Sequence, residues 1–472
     1  MSRKDYLPIV ALVILSLLFH LIGSFFLYDF SNDEGEYLIN AKNMVLFDQF
    51  SLEGIYNTAL APLQTFFHVF IFELFSPSIF IGRYVSIIFT MALLVLFYIF
   101  VNKWYGWKIA AFAVFLITVN GIFNRYTTFA IMEAKIYFFA ILTLLFCFST
   151  KAWVRRLSFL PFSLCLGFKP TLVYLALPVA YALSIGSLEN YKLIPKFSHK
   201  TFLDIAIFLV GTILLTGLFF YLAYIINPKD FISWAFREEI IVRIDLYTAI
   251  KNLFSDIGIL SALFYFCLRA PITSLCFLWG IFAAVREKKK TPVDIFLFFW
   301  VLVEIGFYLI QPSVHSQYVV DLIFPLSILS GKAILNSFSQ DNLRYMKNYV
   351  PQLILVLIAI FQIGSSFYFF LVSKPERPAM ETVQWLNENS ASYKTVIAPV
   401  QVIVNFPKKS LIASNSSLTI EDVLSEREIT YPLLCIVQKS GAVIHKEDNL
   451  FLRMRGKLIN KIGNFWIYEV LE

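Results

Sequence analysis

Charge is what this chain has least of. Only 15% of its 472 residues are Asp, Glu, Lys or Arg, whereas 58% are hydrophobic, 51 of them Phe. A soluble domain carries about a quarter charged residues, so the composition and a mean hydropathy of +0.72 exclude an ordinary soluble protein. Cysteine is scarce too. Cys147, Cys165, Cys267 and Cys276 lie in apolar runs and Cys435 stands alone. No CxxC pair or His/Cys cluster is present, which leaves no disulfide or zinc framework to read. Nothing marks nucleic acid as a partner: the net charge of +7 is spread in short clusters between apolar runs and forms no basic stripe. The chain also lacks an internal repeat and a low-complexity tract.

The long apolar runs are what remains, and they predict an all-α polytopic membrane bundle. MSRKD is followed by YLPIVALVILSLLFHLIGSFFLY, longer than a typical signal-peptide core and without an A-x-A cleavage site. A retained transmembrane helix is expected there. Runs at 6–28, 79–101, 108–123, 134–150, 157–168, 171–186, 202–226, 270–285, 294–311, 319–336 and 349–372 suggest about eleven spans, each drawing on roughly 20 apolar residues. The pair Lys169-Pro170 divides 157–168 from 171–186, which are short enough to be one kinked helix. The segment APLQTFFHVFIFELF, 61–75, reads as a helix lying at the interface.

Lys and Arg cluster in alternate loops: Arg3 and Lys4; Lys103 and Lys108; Lys151, Arg155 and Arg156; Lys192, Lys196 and Lys200; Arg286 and Lys288 to Lys290; Arg344 and Lys347. The positive-inside rule makes these loops and the N-terminus cytoplasmic. An odd number of spans then places the C-terminus outside. From about residue 374 the composition changes to a Pro-bounded linker, an amphipathic helix and apolar strand-like runs, including YPLLCIVQ and NFWIYEVLE. Two units are therefore expected, a membrane bundle over 1–373 and a small extracytoplasmic α/β domain over 374–472.

The loop after the first span holds Asp29, Asp33, Glu34, Glu36, Asp48 and Glu53 against Lys42 alone. Ser31-Asn32-Asp33-Glu34 fits a capping box, and acids in a first helical turn complement the helix dipole. A purely structural role explains the loop as it stands. Other charges are expected at the same membrane face, however: Arg83, Arg125, Glu133, Lys169, Arg237, Arg243 and His315. Carboxylates can act as a general base or bind a metal, and Arg and Lys can hold a phosphate. Together they suit transfer from a phosphate-bearing lipid. Glu304 and Asp321 fall in or near spans, where ionisable groups pair or function.

The ordered segments NDEGEYLINAKNM, APLQTFFHVFIFELF, GRYVSIIFTMALLVLFYIF, NRYTTFAIMEAK, LGFKPTLVYLALP and HSQYVVDLIFPLSIL resemble the GT-C glycosyltransferases of the protein O-mannosyltransferase and aminoarabinose transferase type. The resemblance covers most of residues 1–335 and not the tail. It departs at Leu60 to Leu63, LAPL, where relatives carry a basic or His residue with Pro-Pro-Leu. It implies an inverting transferase that moves a hexose or pentose from a polyprenyl-phosphate carrier to a protein, lipid or glycan on the non-cytoplasmic face of the plasma or inner membrane. By this resemblance Asp33 is the base, Glu34 supports it, and Glu133 is the second acid. Arg83, Arg125, Lys169 and Arg243 are candidates for the donor phosphate, with Tyr37, His315 and Tyr318 as further site residues. No cofactor is fixed; Asp33 and Glu133 are the candidate ligands of a divalent metal. A transporter or flippase of lipid-linked oligosaccharide, or a polymerase joining such oligosaccharides, is the alternative. A transporter predicts inverted repeats and helices broken at the membrane midplane, and the sequence shows neither.

Overall fold

The computed structural model describes residues 3–47, 61–186, 199–226, 258–287, 290–311, 318–337, 377–393, 395–405, 411–412, 432–438 and 455–470, with a few single positions between. Helix α1, Arg3–Ile22, runs into a π-helical turn, Gly23–Leu27. Then follow α2, Asn32–Phe47; α3, Pro62–Leu74; α4, Ile79–Tyr105; α5, Trp107–Thr118; α6, Gly121–Thr128; and α7, Glu133–Cys147. A single turn at Ala152–Arg156 precedes α8, Phe159–Phe168, and the 3-10 segment Pro170–Leu175 leads into α9, Ala176–Gly186. The bundle continues with α10, His199–Ile226; α11, Ile259–Arg269; α12, Pro271–Arg286; α13, Pro292–Leu309; and α14, Ile323–Ser337.

Helices stand at all the expected apolar runs except 349–372, which lies outside the described residues. The count of about eleven spans is not confirmed. Five helices among the described residues are long and apolar enough to cross a bilayer, or seven if two bent pairs each count as one span. The physical reason is reach. The 15 residues of α7 rise about 22 Å and the 10 of α8 about 15 Å, against a hydrocarbon core of about 30 Å. The pair α5 and α6 bends by 70° where Asn120 caps α6, and α11 and α12 bend by 115° at Pro271. Lys169-Pro170 does interrupt the helix there, as the missing proline N–H requires. Pro62 sits at the first position of α3, which explains the proline in the LAPL departure.

The two ends of the bundle carry separate polar networks. At one end Lys103 donates to the Phe148 carbonyl at 2.6 Å, Arg155 and Arg156 both pair with Asp204, and Lys332 bridges Glu287 and Asp294. Lys103, Arg155 and Arg156 belong to the basic clusters expected to be cytoplasmic, and Lys332 lies in α14. The start of α2, the starts of α4 and α7 and the end of α8 lie at the opposite end, where the candidate site forms.

In the tail, α15, Pro378–Asn389, is the expected amphipathic helix. The strand-like run after it is split: β1 is Thr395–Ala398, and the following residues form a short helix, α16, Val400–Ile403. Strands β2, Leu411–Ile412; β3, Leu433–Gln438; β4, Gly456–Ile462; and β5, Phe465–Val470, complete a five-stranded sheet of order β2-β1-β3-β5-β4. The β1 pairings are parallel and the others antiparallel. Gly463 at φ +53° turns β4 into β5, a backbone angle that side chains resist. The expected strands YPLLCIVQ and NFWIYEVLE are β3 and β5. One apolar core joins this sheet to the bundle: Leu38, Ile39, Phe72 and Ile79 are buried with Leu386, Val402, Ile403 and Ile467.

Candidate active site

The acidic loop is anchored by one buried ion pair. Glu34 and Arg83 are both 0% exposed. Arg83 donates Nε to Oε1 and Nη2 to Oε2, each at 2.7 Å, the bidentate geometry that suits guanidinium and carboxylate. Its other N–H groups reach the carbonyls of Ser24 and Tyr28, both at 3.0 Å, and of Asp29 at 2.6 Å. Phe30 and Phe129 stack on its two sides, each ring centroid 5.4 Å away. The five donors of Arg83 are therefore spent on the protein, and a lipid phosphate would have to displace them. Glu34 also accepts the backbone N–H groups of Ser31 at 3.0 Å and Ala130 at 2.8 Å. The Ser31 bond is the one a capping box prescribes, so the structural reading of the motif accounts for Glu34. Gly82 permits the approach: a Cβ there would stand 2.6 Å from that of Ala130.

Asp33 is the exception in this loop. It lies in the first turn of α2 and is exposed, and among the described residues no hydrogen bond or ion pair engages it. Desolvation by the surrounding fold raises its pKa to about 6, and the charges of Glu36, Glu133 and Glu34 push in the same direction. Half-buried Tyr37, one helical turn on, stays a neutral phenol well beyond its ordinary range. Burial is the main cause, and the charges of Glu133, Tyr318, Asp33 and Glu36 add to it. Tyr37 thus marks where α2, the start of α7 and the segment at Tyr318 converge.

Across from α2, Glu133 opens α7 and is 2% exposed. Its Oε1 accepts Lys169 Nζ at 3.2 Å, while its Oε2 is buried without a hydrogen bond. Lys169 also lies over the Tyr318 ring, 4.7 Å from its centroid. The Lys169-Pro170 break is what turns this lysine out of α8 toward the other two residues. Arg125 is exposed at the end of α6 and stacks against Phe129, at 5.6 Å, with no hydrogen bond or ion pair among the described residues. Its charge reaches Tyr28. Behind Lys169, Asp321 accepts the hydroxyl of Tyr174 at 2.6 Å and that of Tyr308 at 3.3 Å. Glu304 is fully buried. Arg243 and His315 lie outside the described residues.

Asp33, Tyr37, Glu133, Lys169 and Tyr318 thus come together, Arg125 stands free, and Glu34 and Arg83 brace the loop. Sequence reasoning passed over Tyr174 and Tyr308, which an isolated hydroxyl in an apolar run does not announce. As for a metal, no group of three or more His, Cys, Asp or Glu side chains gathers among the described residues. Of the two candidate ligands, Asp33 makes no hydrogen bond or ion pair among the described residues, and Glu133 gives one oxygen to Lys169.

The fold is similar to those of solved ArnT and oligosaccharyltransferase structures. ArnT from Cupriavidus metallidurans bound to undecaprenyl phosphate superposes with a TM-score of 0.70 at 13% identity, over 99% of this chain and 98% of that one. Its apo state gives 0.68 at 12% identity, over 98% and 97%. The Archaeoglobus fulgidus oligosaccharyltransferase tethered to an acceptor peptide gives 0.50 at 11% identity, over 87% of this chain and 64% of that one. No protein-family model matches the sequence, and no curated protein does. The likeness at these identities is one of fold.

Proposed function

We propose that this protein is an integral membrane glycosyltransferase that takes a sugar from a polyprenyl-phosphate carrier and passes it to a hydroxyl or similar group on the non-cytoplasmic face. The observation that carries the reading is Asp33, an exposed carboxylate with no hydrogen bond or ion pair among the described residues, near enough to Glu133, the partner of Lys169, for their charges to interact. Asp33 accepts the acceptor's O–H proton as the oxygen attacks the anomeric carbon. The bond from that carbon to the phosphate oxygen breaks, and its electron pair leaves on the phosphate. A single displacement inverts the sugar centre. A base whose pKa lies near the working pH combines availability with proton affinity. The leaving phosphate needs no acid, only positive charge; Lys169 and exposed Arg125 supply it, and Arg243 is a further candidate. Glu133 orients Lys169, and its free Oε2 is available to a sugar hydroxyl. Tyr37 and Tyr318 stand beside Glu133 and Lys169. Glu34 and Arg83 hold the loop that presents Asp33. Among the four assigned cations, this reading keeps Arg83 for the fold.

Purified protein in detergent, given polyprenyl-phosphate carrying a labelled sugar and a membrane extract, tests the class. Label moved into a new covalent product supports the transferase. A transporter has no compartments to work between in detergent and makes no bond. Unchanged donor with every sugar tried, from folded protein, refutes the reading.

A further inference from the structure

Among the described residues the tail after 374 carries no reactive cluster, yet it packs on the helix that bears Asp33 and on its flanks. The carboxylate of Asp29 accepts the backbone N–H groups of Ala379 at 2.9 Å and Met380 at 3.0 Å. These open α15, whose own N-cap residue, Arg377, provides no side-chain cap. Asp29 supplies from the bundle the acceptor that the helix start lacks. Its main-chain carbonyl meanwhile accepts Arg83 Nη2 at 2.6 Å, and Arg83 is the partner of Glu34. One residue therefore touches the first turn of the tail on one side and the brace of the acidic loop on the other.

Two further contacts repeat the pattern. Lys42, 1% exposed near the far end of α2, donates Nζ to the Ile403 carbonyl at 2.6 Å. Asn405 accepts from Ile79 N at 3.0 Å and Ser78 Oγ at 3.2 Å, at the start of the helix that carries Arg83. Between these tethers Leu38 and Ile39 of α2 lie in one apolar core with Leu386 and Val402 of the tail. Helix α2 is held between the bundle and the sheet. A bonded carbonyl and a carboxylate spanning that boundary convert displacement of the tail into displacement of the Glu34–Arg83 brace.

We infer that the C-terminal α/β segment positions the candidate base, and that Asp29 is the positioning residue through which it does so. This rests on the transferase reading for its functional half only. Asp29 meets no reacting atom; it acts through Arg83, Glu34 and the first turn of α2.

The test pairs hydrogen exchange with kinetics on the full-length protein. Asp29→Ala is expected to speed amide exchange about fivefold or more in the first turn of α15 and across α2 alike, the change a lost cap makes in a local opening equilibrium. With a polyprenyl-phosphate sugar as substrate, kcat falls at least fivefold while the donor KM stays within twofold. Asp29→Asn keeps an acceptor oxygen and restores both. Exchange that rises only in α15, with α2 and kcat at wild-type values, overturns the inference. If Asp29→Ala does not fold, Asn405→Ala carries the test: faster exchange at the starts of α4 and α2 with a lowered kcat supports it, and unchanged exchange there overturns it. If wild type transfers no sugar, the reading of function has failed, and the exchange data still decide whether the tail holds α2.

Discussion

Asp33 sits where folding alone would not place an ionised acid. Its neighbours are Glu34, Glu36 and Glu133, and desolvation moves its pKa to about 6 from 3.8. The native state therefore holds this proton more tightly than the unfolded chain does. The stabilising effect of protonation is present at low pH and is lost as pH rises from the unfolded value through about 6. Asp33→Asn should raise Tm at about pH 8 and leave it close to wild type at about pH 4, as read by thermal unfolding in detergent. The activity runs the other way: kcat/KM of wild type should fall as pH drops through about 6, because a protonated base accepts nothing. Lys169 offers a separable test. With Glu133 at 3.2 Å and Tyr318 beneath it, it is the buried cation aimed into the site. Lys169→Met should weaken polyprenyl phosphate binding about tenfold or more, since it removes a charge-assisted contact; affinity within twofold of wild type would take the phosphate role away from it.

At the scale of elements, the Glu34–Arg83 pair joins α2 to α4. Neither side chain is exposed. Removing one partner of a buried pair strands the other charge, at a cost of about 3–5 kcal/mol. Arg83→Met should therefore reduce the yield of folded protein and lower Tm sharply, whereas Arg125→Met, which breaks no hydrogen bond among the described residues, should leave Tm unchanged. Equal stability of the two variants would return Arg83 to the list of phosphate ligands. This division was not legible in the sequence. Arg83 and Arg125 read alike there, as bases near one membrane face. What separates them is the set of three carbonyls that the π-helical turn and Asp29 present to Arg83, a backbone geometry without a residue signature. The helix of SNDE, the break at Lys169-Pro170 and the helix at 62–74 were legible, because capping, proline and amphipathic spacing are local. Span lengths were not, because α5 and α6 bend by 70° inside one continuous apolar run.

For the whole molecule, hydropathy revealed the bundle, and the resemblance of six ordered segments pointed to the fold that this chain shares with ArnT. The packing of the tail onto α2 was hidden, since Asp29, Lys42 and Asn405 lie hundreds of residues from their partners along the chain. The basic loops predict an orientation that labelling tests directly. In a cysteine-free background, Gln384→Cys on intact cells should react with a membrane-impermeant maleimide, and Lys151→Cys should react only after permeabilisation; the reverse pattern would put the site on the cytoplasmic face. The measurement that bears most directly on function is single-turnover transfer from a labelled polyprenyl-phosphate sugar by wild type and Asp33→Asn at equal amounts of folded protein. If Asp33 is the base, the variant binds polyprenyl phosphate as wild type does and transfers about 10²–10⁴-fold more slowly. Transfer at the wild-type rate would mean that Asp33 is only an acid in a helix's first turn, and that the base lies elsewhere.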